Sequence, residues 1–359
     1  MSENVPDFLD RPTTIRPGEE LSLSSLGSFL RCQFPESAGP LVISQFPGGH
    51  SNLTFFVRFG SLEMVLRRPP FSSEVKTAHD MQREYRVLAK LHEFYPCAPK
   101  VIVYCDDESV LSARFYLMER IRGIILRRDL PLDLPFSADE ARRLSESFID
   151  NLACLHCMDY ASMGLRDLGK PEGYVERQVR GWIERYHKSE TETIPEVRAV
   201  SRWLQQHLPA TSDTALIHND YKYDNLVLDA DDITKIVGVL DWEMCTLGDP
   251  LADLGTALAY WVEPKDSKEL QKIRWGPTHY PGSLTRAQLV ERYARMTGRD
   301  VSRISFYLTF ARFKAAVIAQ QIFHRYHRGF TSDLRFASMI EKARILMRSA
   351  LESAESSPL

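Results

Sequence analysis

The stretch HNDYKYDN, residues 218–225, lies between two apolar runs, Ala215-Leu216-Ile217 and Leu226-Val227-Leu228. Short apolar runs bounded by polar residues read as strands. A polar turn between strands is ordinary, because Asn and Asp favour turns. This turn is set apart by the segment downstream of it. The second run opens a hairpin, NLVLDADDITKIVGVLDWE (225–243), and antiparallel pairing returns its far end to the edge where it began. Asn225 opens the hairpin, Asp241 closes it, and Asp220 lies in the loop just upstream. Three oxygen-bearing side chains are thereby expected to converge. A carboxylate and an amide suit Mg2+, which takes a few protein oxygens together with phosphate oxygens and water. A second carboxylate suits a hydroxyl nucleophile that must be oriented and deprotonated. These are the parts of phosphoryl transfer, where catalysis is mostly positioning and charge stabilisation.

Upstream, LVISQF (41–46), LTFFVRF (53–59) and LEMVLR (62–67) read as an antiparallel meander, with PGGHSN (47–52) and Gly60-Ser61 as its turns. In PGGHSN the residues Gly48, Gly49, Ser51 and Asn52 are nucleotide-binding candidates. Two glycines let a backbone approach a phosphate closely, although glycine turns also simply close hairpins. Arg67 on the third strand offers a cation, and strand alternation sends Arg68 to the other face. A helix is expected over Ser73 to Phe94, with Met81, Tyr85, Leu88 and Leu91 on one face. Glu84 on that helix can hold the cation. KVIVYCD (100–106) and RFYLMER (114–120) read as two more strands, and Gly123 as a hinge.

Beyond the hinge the pattern turns helical. Ser137 with Glu140 and Thr285 with Gln288 have capping-box spacing, and Gly298 is a helix stop. Leu144, Phe148, Leu152 and Leu155 form an apolar stripe, which makes His156 a core-edge histidine. Cys154 and Cys157 read as buried thiols of a helix rather than as zinc or redox ligands. Cys245 reads as a small buried residue. The fold class is α+β: a mobile segment over 1–22, a β-rich nucleotide-binding lobe over 23–120, and a helical lobe over 121–359 that carries the loop and the hairpin.

The chain of 359 residues is 44% hydrophobic and 26% charged, with net charge -3. That balance supports a sizeable core and gives no electrostatic case for nucleic acid or an anionic membrane. No apolar run reaches a bilayer span, and the acidic, polar start MSENVPDFLD does not read as a signal peptide. Six scattered cysteines form no disulfide framework, so a reducing cytoplasm is the expected compartment.

HNDYKYDN, VLDWE (239–243) and LGDPLADLG (247–255), supported by FPGGHSN (46–52) and FYLMERIRG (115–123), occur in one order along the chain. This set resembles protein kinase-like enzymes and closely resembles the aminoglycoside phosphotransferase-like family over residues 25–345. It looks most like the phosphotransferase domains that accompany or are fused to acyl-CoA dehydrogenases. The resemblance implies a two-lobed fold that uses ATP and Mg2+. It makes Asp220 the catalytic base, Asn225 and Asp241 the metal ligands, and His218, Asp249 and Asp253 braces of the loop. It makes Glu119, Arg120 and Ile121 the strip whose backbone meets adenine. The family usually has Lys where this chain has Arg67, whose planar fork is not equivalent to an ammonium. Lys222 matches a lysine near the transferred phosphate in protein kinases, or it is a solvated loop lysine.

DWEMCTLGDPLADLG passes almost directly into a helix, leaving no room for a peptide-docking segment, so a small-molecule hydroxyl acceptor is expected. KIRWGPTHYPG (272–282) and QQIFHRYHRG (320–329) are the lining candidates. Arg274, His279, Arg325 and Arg328 lean away from a polycationic acceptor. The substrate candidates are Trp242, Arg274, His324 and Arg328. The cluster of His324, His327, Arg325 and Arg328 equally reads as a favourable charge set at a helix C-terminus. The resemblance implies a hydroxy acid or hydroxyacyl-CoA as acceptor and work alongside an acyl-CoA dehydrogenase. Alternatives are an aminoglycoside or amino-alcohol acceptor, a non-catalytic nucleotide-binding module, and a metal-dependent hydrolase built on His218 and Asp220.

Overall fold

The computed structural model describes residues 10–47, 52–71, 80–131, 134–210, 212–331 and 333–356. Gly48, Gly49 and Ser51 lie outside them, as do residues 1–9. The chain begins α1 (Leu23–Gln33), β1 (Leu41–Gln45), β2 (Leu53–Phe59), β3 (Leu62–Arg68), α2 (Met81–Leu91), β4 (Val101–Cys105), α3 (Glu108–Leu111) and β5 (Phe115–Glu119). It continues α4 (Ala138–His156), α5 (Tyr174–Ser189), α6 (Glu196–Gln206), β6 (Ala215–Ile217), β7 (Leu226–Leu228), β8 (Ile236–Val239) and β9 (Thr246–Gly248). It ends α7 (Pro250–Tyr260), α8 (Lys268–Lys272), α9 (Arg286–Thr297), α10 (Ile304–His327) and α11 (Met339–Glu355). None of these helices is long and apolar enough to cross a membrane.

The chain divides into two compact units, Met1–Ile125 with Leu226–Cys245, and Leu126–Asn225 with Thr246–Leu359. In the first, an antiparallel sheet runs β1-β2-β3-β5-β4. Its alternation explains its two faces. Phe55, Val57, Phe59, Met64, Leu66, Phe115 and Leu117 point one way and bury against Leu26 and Leu30 of α1. Each such side chain is worth about 1.5–3 kcal/mol on leaving water. The helix α1 is absent from the sequence reading; Ser22 caps it by accepting from the Ser25 amide. On the opposite face, Arg67 pairs in register with Thr54 on one side and Tyr116 on the other.

Three expectations change here. In place of a mobile segment over 1–22, the described part is tied down: Thr13 exchanges backbone hydrogen bonds with Gln45, and Asp10 bonds Gly123. The helix expected from Ser73 is described from Met81, where Asp80 caps it through the Arg83 amide; residues 72–79 lie outside the described ones. The hairpin β7-β8 groups with the sheet unit rather than the helical one, through the Ile124 and Leu228 backbone pair and the Val239 bond to Cys97. Gly123 is a packing position within the sheet unit. A Cβ there would collide with the Leu228 carbonyl oxygen.

The second unit is built around α10, which is buried nearly all round from Ile304 to Gln320. Both expected capping boxes form, Ser137 with Glu140 and Thr285 with Gln288, and Gly298 ends α9 at φ 69°. Gly255 lets α7 close on α10: a Cβ there would meet the Tyr307 backbone at 2.7 Å. Cys154 and Cys157 are exposed at the end of α4, contrary to the buried thiols expected, because the helix turns that edge outward. Cys245 is buried as expected.

Candidate functional site

The loop 218–225 owes its shape to alternation. Tyr221 and Tyr223 point inward, where their rings pack on Phe148 at 4.8 and 5.1 Å and Tyr221 donates to the Phe148 carbonyl. Asp220 and Lys222, at the intervening positions, are left to face each other. The Asp220 carboxylate accepts from Lys222 Nζ and Asn225 Nδ2 on Oδ2, both at 2.9 Å, and from the Tyr260 hydroxyl on Oδ1 at 2.8 Å. Burial raises this carboxyl, but the Lys222 charge and the Lys222 and Tyr260 donors outweigh it and hold it below the ordinary carboxylate value. Asp220 is therefore ionised at neutral pH and oriented by three donors.

The loop backbone is gripped from beneath. Asp253, in the first turn of α7, accepts the successive amides of His218 at 2.6 Å and Asn219 at 2.7 Å. His156 Nε2 lies 3.1 Å from the same carboxylate, and its Nδ1 lies 2.8 Å from the Tyr293 hydroxyl. Burial raises the Asp253 carboxyl, yet His156 and the amides bring it below its ordinary value. His218 Nδ1 accepts from the Asp220 amide. Asn219 itself takes left-handed backbone, φ 68°. Its carbonyl accepts from the buried Lys314 at 3.3 Å, and its side-chain oxygen accepts from Tyr174. Such a conformation costs energy and persists only where surroundings over-determine it.

The sheet unit holds a second constellation. Arg67 Nη2 reaches Asp241 at 2.9 Å, Glu84 at 3.3 Å and Glu243 at 3.7 Å. Asn52 donates to Glu243 at 2.7 Å. Burial works against the guanidinium charge, but Glu84 and Asp241 overcome it and raise its pKa well above the ordinary value. Arg67 Nε is buried with no hydrogen-bond partner among the described residues. Arg68 lies on the opposite face, as alternation requires, 3.6 Å over the Phe71 ring. Asp241 is left-handed, φ 67°. Among the described residues only Ser112, Asn219 and Asp241 are non-glycines at positive φ, so two of three fall in the candidate site.

The remaining expected positions divide. Glu119 ends β5, its amide bonded to the Lys100 carbonyl; Arg120 pairs with Glu63, and Ile121 packs at Gly238. Asp249 does not bond the loop; it caps α7 through the Leu251 amide and accepts from Ser212 and Tyr307. Trp242 is buried with its indole N–H on the Val239 carbonyl and its ring edge-on to Tyr95, which makes it core rather than substrate contact. Arg274 pairs with Asp129 and bonds the Gln271 carbonyl. His324 lies 3.1 Å from the Ser189 carbonyl, beside the Gln320 bond to the same oxygen, so it ties α10 to the end of α5. Arg328 is the exposed C-cap of α10. Packing accounts for Trp242 and bracing for His324, while Arg274 and Arg328 stay as candidate acceptor contacts.

Four residues of the candidate site escaped the sequence reading: Tyr260, Lys314, Asn219 and Tyr293. Tyr260 and Lys314 reach the loop from other elements and Tyr293 bonds His156, and no local pattern announces such contacts. The positive φ of Asn219 is compatible with the residue type but not specified by it.

Among the described residues no three His, Cys, Asp or Glu side chains are grouped to hold a metal alone. A hard cation shared with phosphate needs fewer protein oxygens. The donor chemistry fits: Asn225 uses Nδ2 on Asp220, which leaves its Oδ1 as oxygen donor, and Asp241 offers a carboxylate. A model of the phosphotransferase enzyme family matches residues 42–307. The chain belongs to that family. The phosphotransferase is 32% identical to acyl-CoA dehydrogenase family member 11 of Rattus norvegicus over 329 residues, 89% of this chain and 41% of that protein. It is 33% identical to acyl-CoA dehydrogenase family member 10 of Mus musculus over 304 residues, 83% of this chain and 28% of that protein. It thus spans less than half the length of the curated relatives it matches. A solved structure from Ralstonia eutropha, assigned to the aminoglycoside phosphotransferases, superposes with TM-score 0.79 at 31% identity over 94% of this chain and 99% of that one. Choline kinase from Cryptosporidium parvum shares the fold at TM-score 0.62 and 12% identity, over 92% of this chain and 95% of that one. The fold of the phosphotransferase is protein kinase-like, a small antiparallel β-rich unit and a larger helical one.

Proposed function

We propose that this phosphotransferase moves the γ-phosphoryl group of ATP to a hydroxyl of a small molecule, with Asp220 as general base. One observation carries the reading: an ionised carboxylate oriented by Lys222, Asn225 and Tyr260 on a backbone gripped by Asp253. In this reading Asp220 takes the acceptor proton as the acceptor oxygen bonds to phosphorus and the bond to the ADP oxygen breaks. Lys222 offsets charge beside it. Arg67, held by Glu84, faces the nucleotide phosphates in place of the usual lysine. Asn225 and Asp241 would hold Mg2+, which supplies neutralisation of the charge that develops on the phosphates. Glu119 to Ile121 would meet adenine through backbone groups, and Asn52 would contact the phosphates.

For the acceptor we propose a hydroxy acid or a hydroxyacyl thioester. The names of the relatives, acyl-CoA dehydrogenase family members 11 and 10, support this. The test is turnover of Mg2+-ATP with a panel of hydroxy acids and hydroxyacyl-CoAs against aminoglycosides, choline and ethanolamine. Phosphorylation of the first class supports the reading. Tight binding and phosphorylation of an aminoglycoside, with none of the acids turned over, overturns it.

A further inference from the structure

The two oxygens of Asp220 are not equivalent. Oδ2 already accepts from two residues of its own loop, Lys222 and Asn225. Oδ1 accepts from one donor, the hydroxyl of Tyr260 at 2.8 Å, and Tyr260 is the last residue of α7. A general base meets the proton it removes at about 2.6–3.2 Å. Oδ1 is therefore the oxygen suited to an acceptor hydroxyl, and a phenol occupies it at the distance an acceptor would take.

We propose that Tyr260 masks the base: its hydroxyl stands in for the acceptor's and keeps water from Oδ1 until an acceptor displaces it. The proposal rests on the reading of Asp220 as general base. Two further observations support it. The ring is held in place, edge-on to Trp275 at 5.0 Å and with Lys222 Nζ 5.1 Å above its centre. Burial and the neighbouring Asp220 charge push the phenol pKa well above its ordinary value, so the phenol keeps its proton. An acceptor with a body that binds the protein can supply the free energy to turn this ring, and a lone water cannot. The device separates phosphoryl transfer from hydrolysis. In the unmasked enzyme a water oxygen would bond to the γ-phosphorus, the bond to the ADP oxygen would break, and Asp220 would take the water proton.

The experiment uses the full chain with Tyr260→Phe, which keeps the ring and its contacts. Phosphate release from Mg2+-ATP is followed without any acceptor, and Mg2+-ATP affinity is measured separately by calorimetry. The mask predicts hydrolysis faster by about tenfold or more, the worth of one hydrogen bond to a charged group, at unchanged affinity. The increase should vanish in the Asp220→Asn, Tyr260→Phe double variant. Equal or slower hydrolysis at intact affinity overturns the mask and makes Tyr260 a residue that only orients Asp220. An increase that survives the double variant also overturns it. Rates are compared at a temperature below the unfolding of both proteins, so that a loss of stability in Tyr260→Phe does not enter the comparison. Should neither wild type nor variant bind Mg2+-ATP, the phosphotransferase reading of the site fails, and the mask falls with it.

Discussion

The two constellations use opposite arrangements of charge. In the helical unit one carboxylate, Asp220, is surrounded by donors, and each of its oxygens is used. In the sheet unit one cation, Arg67, is surrounded by three carboxylates, and its Nε has no hydrogen-bond partner among the described residues. The first is held by three donors, as suits a group that must keep one orientation while a proton arrives. The second is over-supplied with acid around a single guanidinium, as suits a place where a cation or an anion can exchange partners. Donors give aim, and surplus acid gives exchangeability.

The largest test of this contrast is Asp220→Asn. Phosphoryl transfer should fall by about 10²–10⁴-fold, while Mg2+-ATP affinity stays where it was. A matching loss of affinity would mean that the Asp220 cluster also binds nucleotide. Next comes Arg67→Met, which strands Glu84 as a buried carboxylate. Breaking a buried pair on one side costs about 3–5 kcal/mol, measured as a lowered urea midpoint, and Arg67→Lys should recover most of it. Stability unchanged by Arg67→Met would show that the sheet cluster is not held by that cation.

Asp241→Ala should abolish the Mg2+-dependent part of stabilisation by ATP, worth about 2.7 kcal/mol at a hundredfold excess over Kd. Retention of that shift in a thermal melt would remove Asp241 from the metal site. The smallest expected effect concerns pH. Asp253 has its folded-state pKa depressed, so its contribution is present above its unfolded value and is lost as pH falls through the folded one. The urea-midpoint gap between wild type and Asp253→Asn should therefore be full near pH 7 and shrink on titration into the acid range below ordinary carboxylates. A gap that widens toward acid would reverse the sign and rule out the depressed carboxylate.

Residues whose partners lie nearby in the chain were legible in the sequence. Strand alternation sent Arg67 and Arg68 to opposite faces, the spacing of HNDYKYDN set Asp220 beside Asn225, and both capping boxes formed, whereas the pairing of Lys222 with Asp220 was not foreseen. Glu84 was found because a cation on β3 needs a counter-charge from α2. Tyr260 and Lys314 were not legible, because they meet the loop 40 and 95 residues further along the chain, and only the packing of α7 and α10 brings them there. Trp242 and His324 were misplaced for a related reason. An aromatic or a histidine near a motif serves the core as readily as a ligand, and burial decides between them. The hairpin was recognised as a hairpin, but its membership of the sheet unit depends on backbone bonds from Cys97 and Ile124 that leave no mark in side-chain pattern.

The grip of Asp253 on two consecutive amides has a further consequence. The carboxylate that sets the aim of the base belongs to the first turn of a helix, so the aim is only as durable as that turn. Fraying of α7 at its start would release His218 and Asn219 together, and the strained Asn219 would relax at once. Inactivation by heat should then behave as a latch letting go and not as a gradual blurring, with molecules either fully competent or silent and few in between.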